Sequence, residues 1–263
     1  MNDTAKVRRV LVTNDDGIDA PGLAVAVDVA TELGAEVWVS APAGDRSGTS
    51  RQISLHTPLR VTRHGERRIA VSGSPADSVV IGLRHLMRDT PPDLVISGIN
   101  AGANHSKELG YSGTVGAALT ARMMGYKAVA LSQSWITRGQ LPWETSRTWL
   151  PEVLRQALAH ELAWPEETIL NINVPSVQPE HVTGIEVTRL ASSLKLEMDV
   201  DHRVDHREQD YFWLKLNREH VDEGSDSDAD ALNRGAVSVT PIGFDQTDHE
   251  LREQMHAARV FNR

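Results

Sequence analysis

The sequence predicts an α/β protein built on a mostly parallel β-sheet with helices on both faces. Short apolar runs alternate with helical patterns in the N-terminal half, which is typical of successive βα units. From about residue 180 the pattern changes to short β-like runs separated by polar stretches. We therefore expect an α/β core over residues 1–180, and a β-rich C-terminal extension with a tail over residues 181–263 that packs on the core.

The core elements follow one another in a regular order. Strands are predicted where Val, Ile and Leu cluster, at residues 8–14, 36–42, 93–98, 127–134 and 167–175. Helices are predicted at residues 20–35, 73–89, 112–125 and 143–163. Pro21 lies near the start of the first helix and Gly34 just past its end, while Ser74 and Pro75 give the second helix a capped start.

Two regions depart from this order. Residues 51–73 contain two β-like runs around a His-Gly pair and predict an added hairpin, with His56 in the first run. The extension has three β-like runs and a final helical pattern, at residues 184–190, 210–216, 235–242 and 248–261. The stretches between them, 199–209 and 218–233, are polar, and the first is predicted to be a solvated loop.

Composition and charge restrict the possible functions. The chain has 263 residues with 27 basic and 36 acidic side chains, a formal charge of −9, which disfavours binding to duplex nucleic acid. No window approaches the roughly 18 apolar residues of a membrane span, so no membrane partner is expected. The N-terminus shows no signal region and the chain has no cysteine, so we expect a cytoplasmic protein without disulfides or thiolate chemistry.

The first predicted strand ends on two adjacent carboxylates, Asp15 and Asp16, in the stretch "VLVTNDDGIDAPG". Adjacent carboxylates repel each other, so either they form a solvated turn or a cation lies between them. Two further loops follow predicted strands, "APAGDRSGTS" with Ser47 and "SGINAGANHSKELGYSGT" with Asn100 and Asn104. Ligands of open parallel sheets bind beyond the carboxyl ends of the strands, so we expect these loops to meet at one cleft. Hard oxygen ligands of this kind suit Mg²⁺, Mn²⁺ or Ca²⁺.

The start of the third predicted helix is a candidate phosphate site. Ser112, Gly113 and Thr114 open an alanine-rich helix, and a helix N-terminus with free N–H groups accepts a phosphate readily. The simpler interpretation is an ordinary helix cap. Nearby, His105 is a candidate substrate contact and Lys107 a candidate source of positive charge.

Three other patterns fail on their spacing. His202 and His206 lack the glutamate of a zinc-protease helix and lie in a highly charged stretch, so a solvated loop is predicted there. The stretch from Asp226 resembles the start of a calcium loop but lacks its glycine and glutamate. The Ser-x-x-Lys match from Ser192 has no following Lys-Thr-Gly.

Five segments together resemble the SurE family of stationary-phase survival proteins, which are 5′-nucleotidases. They are "LVTNDDGIDAPG", "APAGDRSGTS", "GSPADSV", "PDLVISGINAGANHSKELGYSGTVGAALTARMMG" and "GAVSVTPIGFDQT". The resemblance extends over most of the chain and is weakest between about residues 135 and 230. It implies a Rossmann-like core and a phosphatase that uses one divalent cation per subunit, Mg²⁺ or Mn²⁺, to hydrolyse nucleoside 5′-monophosphates. Activity on 3′-nucleotides or short polyphosphate also lies within this expectation.

The resemblance also assigns roles to residues. It implies that Asp15, Asp16, Ser47 and Asn100 hold the metal, and that Asn104 and the turn of Ser112, Gly113 and Thr114 lie near the phosphate. Asp15, Asp16 and Asn104 are thus the expected catalytic residues. C-terminal strands and a tail exchange between subunits in the family, which implies a homodimer or homotetramer.

The residues alone leave two catalytic mechanisms and two classes of function as alternatives. Water is the favoured nucleophile, because a phosphoaspartate route expects Asp-x-Asp after the strand and "NDDG" lacks that spacing. Asp15 or Asp16 could instead act as base or nucleophile. The alternative function is a non-catalytic protein that binds nucleotides or polyphosphate. A nucleotide-dependent oxidoreductase is disfavoured, because the chain has no Gly-x-Gly-x-x-Gly fingerprint.

Overall fold

The computed structural model describes residues 7–137, 139–159, 165–192, 195–219 and 226–260. Its strands are Arg9–Thr13 (β1), Glu36–Pro42 (β2), Val61–Gly65 (β3), Arg68–Val71 (β4), Leu94–Ala101 (β5), Ala128–Gln133 (β6), Ile169–Val174 (β7), Gly184–Val187 (β8), Lys195–Val204 (β9), Asp210–Glu219 (β10) and Ala236–Ile242 (β11). Its α-helices are Pro21–Glu32 (α1), Pro75–Ile81 (α2), Gly113–Met123 (α3), Trp143–Ala159 (α4), Asp228–Asn233 (α5) and His249–Ala257 (α6).

The main sheet has nine strands in the order β3-β4-β2-β1-β5-β6-β7-β11-β8. Six neighbouring strands, β4-β2-β1-β5-β6-β7, run parallel to one another. At the two ends of this group, β3 is antiparallel to β4 and β11 is antiparallel to β7. Numbered among themselves along the chain, the six parallel strands lie in the order 3-2-1-4-5-6, which is the Rossmann order. The predicted α/β class and Rossmann-like core are therefore confirmed. The strand order reverses between β1 and β5, where such sheets bind ligands.

Helices pack on both faces of the sheet. Because side chains alternate along each strand, successive apolar residues pack against opposite helical layers. On β1, Val10 and Val12 belong to the apolar cluster that includes α1 and α4, whereas Leu11 belongs to the cluster that includes α2 and α3. The predicted helix starts also hold, since the Ser74 hydroxyl accepts the Asp77 N–H and the Asp77 carboxylate accepts the Ser74 N–H. β1 and β5 are thus fixed between two helical layers, and the loops at their carboxyl ends start from rigid supports.

The predicted hairpin at residues 51–73 is smaller than expected. Residues 51–60 form no strand, and His56 is exposed, so its placement in a strand was wrong. Only β3 and β4 pair as an antiparallel hairpin, and β4 pairs in parallel with β2. The hairpin therefore extends the main sheet.

The C-terminal extension contains more regular structure than its polar sequence suggested. β11 and β8 continue the main sheet, whereas β9 and β10 form a separate two-stranded antiparallel sheet. The stretch 199–209, predicted to be a solvated loop, forms most of β9 and its turn, which corrects that prediction. The available signal was the period-two alternation of charged residues with apolar ones such as Met198 and Val200, which is typical of a β-strand. Residues 220–225 of the second polar stretch and residues 193–194 lie outside the described residues.

The described helices include none that is both long and apolar enough to cross a lipid bilayer.

Candidate active site

Three loops meet at the carboxyl edge of the main sheet, as the sequence predicted. They follow β1, β2 and β5 and line a cavity of about 1580 Å³. Six of the eight candidate site residues line this cavity: Asp15, Asp16, Ser47, Asn100, Asn104 and Ser112. Gly113 and Thr114 lie behind it, against Asp15.

Asp15 is almost fully buried between β1 and the start of α3. Its Oδ1 accepts the Thr114 hydroxyl at 2.5 Å, and it is 3% exposed. Burial raises the pKa of Asp15 to about 6, with a further contribution from the Asp16 charge, while the bonds from Thr114 oppose the rise. The site therefore disfavours a negative charge that no cation compensates.

Asp16 is the half-buried neighbour that faces the cavity. Its Oδ2 accepts the Ala101 N–H at 3.0 Å, at the end of β5. Burial raises the pKa of Asp16, the Ala101 N–H opposes this, and the charge of Asp45 adds to the rise. Both adjacent carboxylates are thus held in an environment that favours neutralisation by a proton or a cation.

Asp45 is a cavity residue that the sequence analysis missed. It lies in the same loop as Ser47, and its Oδ1 accepts both the Ser47 N–H, at 2.8 Å, and the Ser47 hydroxyl, at 2.7 Å. The sequence did contain a signal for it, since Asp45 lies two positions before the candidate ligand Ser47. The loop is fixed to the first aspartate loop, because the Arg46 N–H donates to the Asp15 carbonyl at 2.7 Å.

Asn100, near the end of β5, and Asn104, in the loop that follows, present amide oxygens to the cavity. The Asn100 Nδ2 donates to the Gly102 carbonyl at 2.8 Å, and the Asn104 Nδ2 donates to the Ser132 hydroxyl at 2.9 Å. No donor among the described residues reaches either Oδ1. Since both amide groups are oriented through their nitrogen atoms, both oxygens are available to a cation or a donor in the cavity.

The start of α3 is directed at Asp15. The Ser112 hydroxyl accepts the Val115 N–H at 3.1 Å and caps the helix, as the simpler interpretation expected. The Thr114 hydroxyl donates to the Asp15 carboxylate, and the Thr114 backbone N–H also lowers the pKa of this carboxyl. A Cβ on Gly113 would lie 2.8 Å from the Asp15 side chain, so only glycine lets the helix approach this closely. Ser112 remains at the cavity wall, whereas the Thr114 hydroxyl is already used.

The other candidate residues divide between the cavity and the surface. His105 lines the cavity, and its Nδ1 lies 2.8 Å from the Ser106 hydroxyl. Lys107 is exposed and does not line it. His202 lies in β9, not in a loop, where it stacks on Phe212 with ring centroids 4.9 Å apart.

The β9–β10 hairpin forms the far wall of the cavity, which the sequence analysis did not foresee. Asp201, Arg203 and residues 213–217 line it. Arg203 donates to Asp201 at 2.8 Å, and Lys215 lies 3.5 Å from the same carboxylate. The hairpin thus brings two positively charged side chains to a cavity whose opposite wall is acidic.

The residues present fit a hard divalent cation. Two carboxylates with raised pKa values lie beside one hydroxyl and two amide oxygens, which is an all-oxygen donor set. Within the described residues, no group of three or more His, Cys, Asp or Glu side chains is arranged to hold a metal. A cation here would therefore depend on the Ser and Asn oxygens in addition to the carboxylates.

Comparison with known proteins agrees with this architecture. A family model described as survival protein SurE matches residues 10–196. The chain is 47% identical over 239 residues to 5′-nucleotidase SurE 1 of Burkholderia lata, covering 91% of this chain and 92% of that protein. It is 42% identical over 254 residues to 5′-nucleotidase SurE of Bradyrhizobium diazoefficiens, covering 95% and 99%. The crystal structure of the SurE protein from Aquifex aeolicus superposes with a TM-score of 0.79 at 30% identity, covering 95% of this chain and 99% of that one.

Proposed function

Because this chain belongs to the SurE survival protein family, we propose that it is a 5′-nucleotidase that hydrolyses nucleoside 5′-monophosphates with the help of a divalent cation. The observation that supports this most is the pair Asp15 and Asp16, one buried and one half-buried, which lie side by side at the switch point of the sheet with raised pKa values. A chain that only binds nucleotides would have no need of two carboxylates next to the phosphate position. We therefore favour catalysis over the non-catalytic alternative.

Asp15, Asp16, Ser47 and Asn100 are the residues we assign to the cation. When bound, a divalent cation would polarise a phosphoryl oxygen and compensate the carboxylate charges. Thr114 orients the Asp15 carboxylate through its hydroxyl. Ala101 does the same for Asp16 through its backbone N–H. Both carboxylates are therefore held in place before substrate arrives, which is the preorganisation that electrostatic catalysis needs. Mg²⁺ and Mn²⁺ are both compatible with this oxygen set.

Asn104 and the start of α3 are the groups we assign to the phosphate. Asn104 lies at the cavity wall with its amide oriented by Ser132, and Ser112 lies at the wall beside the helix N-terminus. Thr114 contributes to this site through Asp15, because its hydroxyl already donates to that carboxylate. Water is the proposed nucleophile. Asp16, which is less buried than Asp15, is the better placed carboxylate to accept its proton.

A homodimer or homotetramer through the C-terminal extension is part of the proposal. The β9–β10 hairpin exposes large apolar side chains, including Phe212 at 59% and Leu214 at 78%. Isolated two-stranded hairpins are marginally stable in water, so a second copy of the chain against this surface would stabilise it. Sedimentation velocity would test this, and a monomer at assay concentration would contradict it.

A substrate panel tests the activity directly. Release of phosphate from 5′-AMP, 3′-AMP and short polyphosphate would be measured with Mg²⁺, Mn²⁺ and no added metal, then after addition of a chelator. We expect turnover of 5′-AMP that the chelator abolishes and fresh cation restores. Binding of 5′-AMP without turnover under every metal condition would support the non-catalytic alternative instead.

A further inference from the structure

The main chain of residues 104–106 in the candidate site is hydrogen-bonded by side chains from other elements of the fold. The Asn104 N–H donates to Asn173 Oδ1 at 2.8 Å. The Asn104 carbonyl accepts Asn171 Nδ2 at 2.8 Å and Asn173 Nδ2 at 2.9 Å. Two residues later the Ser106 N–H donates to Asp228 Oδ2 at 2.9 Å. The backbone on both sides of His105 is therefore fixed by side chains from β7 and α5.

Asp228 is a fully buried carboxylate that the proposed reaction does not use. Its exposure is 0%, and besides Ser106 it accepts the N–H groups of Ala191, at 2.9 Å, and Ala229, at 2.8 Å. A buried carboxylate is tolerated where several donors compensate it, and here three backbone N–H groups do so. They belong to the site loop, to the segment before β9 and to the start of α5. One side chain thus joins the site loop to both ends of the region that contains the β9–β10 hairpin.

Ser106 shows that this connection constrains the loop. Its φ is +55°, a left-handed conformation that residues other than glycine adopt only where the surroundings enforce it. The bond from its N–H to Asp228 is one of the contacts that fix the backbone at this residue. The turn directs His105 to the cavity and keeps Asn104 against β7.

Asn171 adds an independent argument. It is fully buried in β7, and its Oδ1 has no hydrogen-bond partner within the described part of the chain. An unsatisfied buried amide oxygen destabilises a fold, and an apolar side chain of the same shape would avoid that cost. What the amide provides is the bond from its Nδ2 to the Asn104 carbonyl.

We propose that Asn171, Asn173 and Asp228 form a clamp that positions Asn104 and His105 for the phosphate group of the substrate. The clamp residues are positioning residues, since they act on the substrate through the main chain of the site loop. The proposal rests on the proposed phosphatase function for its kinetic consequences. It also predicts a phosphate-binding loop that is ordered independently of turnover.

Two variants test the clamp against a matched control. Asp228→Asn keeps the size of the side chain but removes the charge and one acceptor. Asn171→Leu removes the bond to Asn104 together with the unsatisfied oxygen, so we expect it to fold. Asp230→Asn is the control, because Asp230 is buried in the same helix and its carboxylate accepts the Ser227 hydroxyl at 2.6 Å at the helix cap.

The readouts are kcat and KM for 5′-AMP per folded molecule, affinity for inorganic phosphate with Mn²⁺ present, affinity for Mn²⁺ alone, and hydrogen exchange of residues 102–111 without metal. We expect both clamp variants to lower kcat by about 10- to 100-fold, to weaken phosphate binding and to speed exchange in this loop. Affinity for Mn²⁺ should change by less than about threefold, because the assigned metal ligands are untouched. The control should lose stability without these changes.

Wild-type kcat and phosphate affinity in folded Asp228→Asn and Asn171→Leu would overturn the clamp, as would equal losses in Asp230→Asn. If Asp228→Asn does not fold, Asn171→Leu decides alone on the same criteria. A wild-type protein that binds phosphate but turns over no nucleotide would refute the proposed activity. Loss of phosphate affinity in the clamp variants would then still support the clamp.

Discussion

The two walls of the cavity are built in opposite ways. The wall at the carboxyl edge of the main sheet holds its two adjacent carboxylates with bonds from neighbouring elements, as Thr114 holds the buried Asp15 and the Ala101 N–H holds the half-buried Asp16. The opposite wall is the β9–β10 hairpin, which forms a separate two-stranded sheet among the described strands and leaves Trp213 59% exposed. A rigid wall suits charge stabilisation and an exposed wall suits substrate selection. We therefore expect the first to control kcat and the second to control KM.

The largest effect is expected on the rigid wall. Asp16→Asn should lower turnover of 5′-AMP by at least about 100-fold and weaken Mn²⁺ binding, because it removes a charge from the cation position. Folding should be little affected, since the amide relieves the repulsion between neighbouring carboxylates. Kinetics and calorimetric titration with Mn²⁺ measure both.

Asp19→Asn is the control, since Asp19 is exposed in the same loop and does not line the cavity. If Asp16→Asn keeps wild-type turnover and Mn²⁺ affinity, the assignment of this ligand is wrong.

The next effect concerns stability without metal. Since burial raises the pKa of Asp15 from 3.8 to about 6, the folded state binds more protons than the unfolded state between these values. Stability should therefore fall as pH rises through this window, by about 3 kcal/mol at most. Asp15→Asn should flatten this part of the dependence. Urea unfolding in chelator from about pH 4 to about pH 8 measures it. Parallel curves for variant and wild type would show that Asp15 carries no such destabilising charge.

A smaller effect is expected on the exposed wall. Trp213→Ala should raise KM for 5′-AMP by about 10-fold and leave kcat within about twofold, because an exposed indole at the cavity can stack on a base. Val204→Ala, also exposed on the hairpin but outside the cavity lining, should change neither constant. If Trp213→Ala lowered kcat by as large a factor as it raised KM, the claim that the two walls control different kinetic constants would be wrong.

The smallest effect is expected at the cap of α3. Ser112→Ala removes the acceptor of the Val115 N–H and should cost about 1 kcal/mol of stability, with a modest rise in KM. Ser112→Asn can still cap and should recover the stability. If Ser112→Ala leaves both KM and kcat unchanged, the phosphate site has been placed at the wrong helix terminus.

The difference between the two walls also explains what the sequence could predict. β1, β2 and β5 are mostly apolar runs that lead into polar loops, and the Rossmann order then brings those loops together without further information. The hairpin was predicted only in part, because the high charge of residues 199–209 outweighed the alternation of Met198 and Val200 with charged residues, which is typical of a β-strand.

The supports of the site could not be found from local patterns. Asp228 lies 122 positions from Ser106, and Asn173 lies 69 positions from Asn104, so only the folded chain brings them together. Asp45 was nearer to being found, since it shares a loop with Ser47. The residues assigned to the cation lie at or after the ends of strands, whereas the residues that hold the site loop are distant from it in the sequence.

Anomalous diffraction from crystals soaked in Mn²⁺ tests the central assignment most directly. We expect one anomalous peak inside the cavity, on the side that faces the hairpin, within coordination distance of the two neighbouring carboxylates and of the oxygens of Ser47 and Asn100. A clear peak elsewhere, or none at this edge of the sheet in crystals whose cavity is open to solvent, would contradict the assignment.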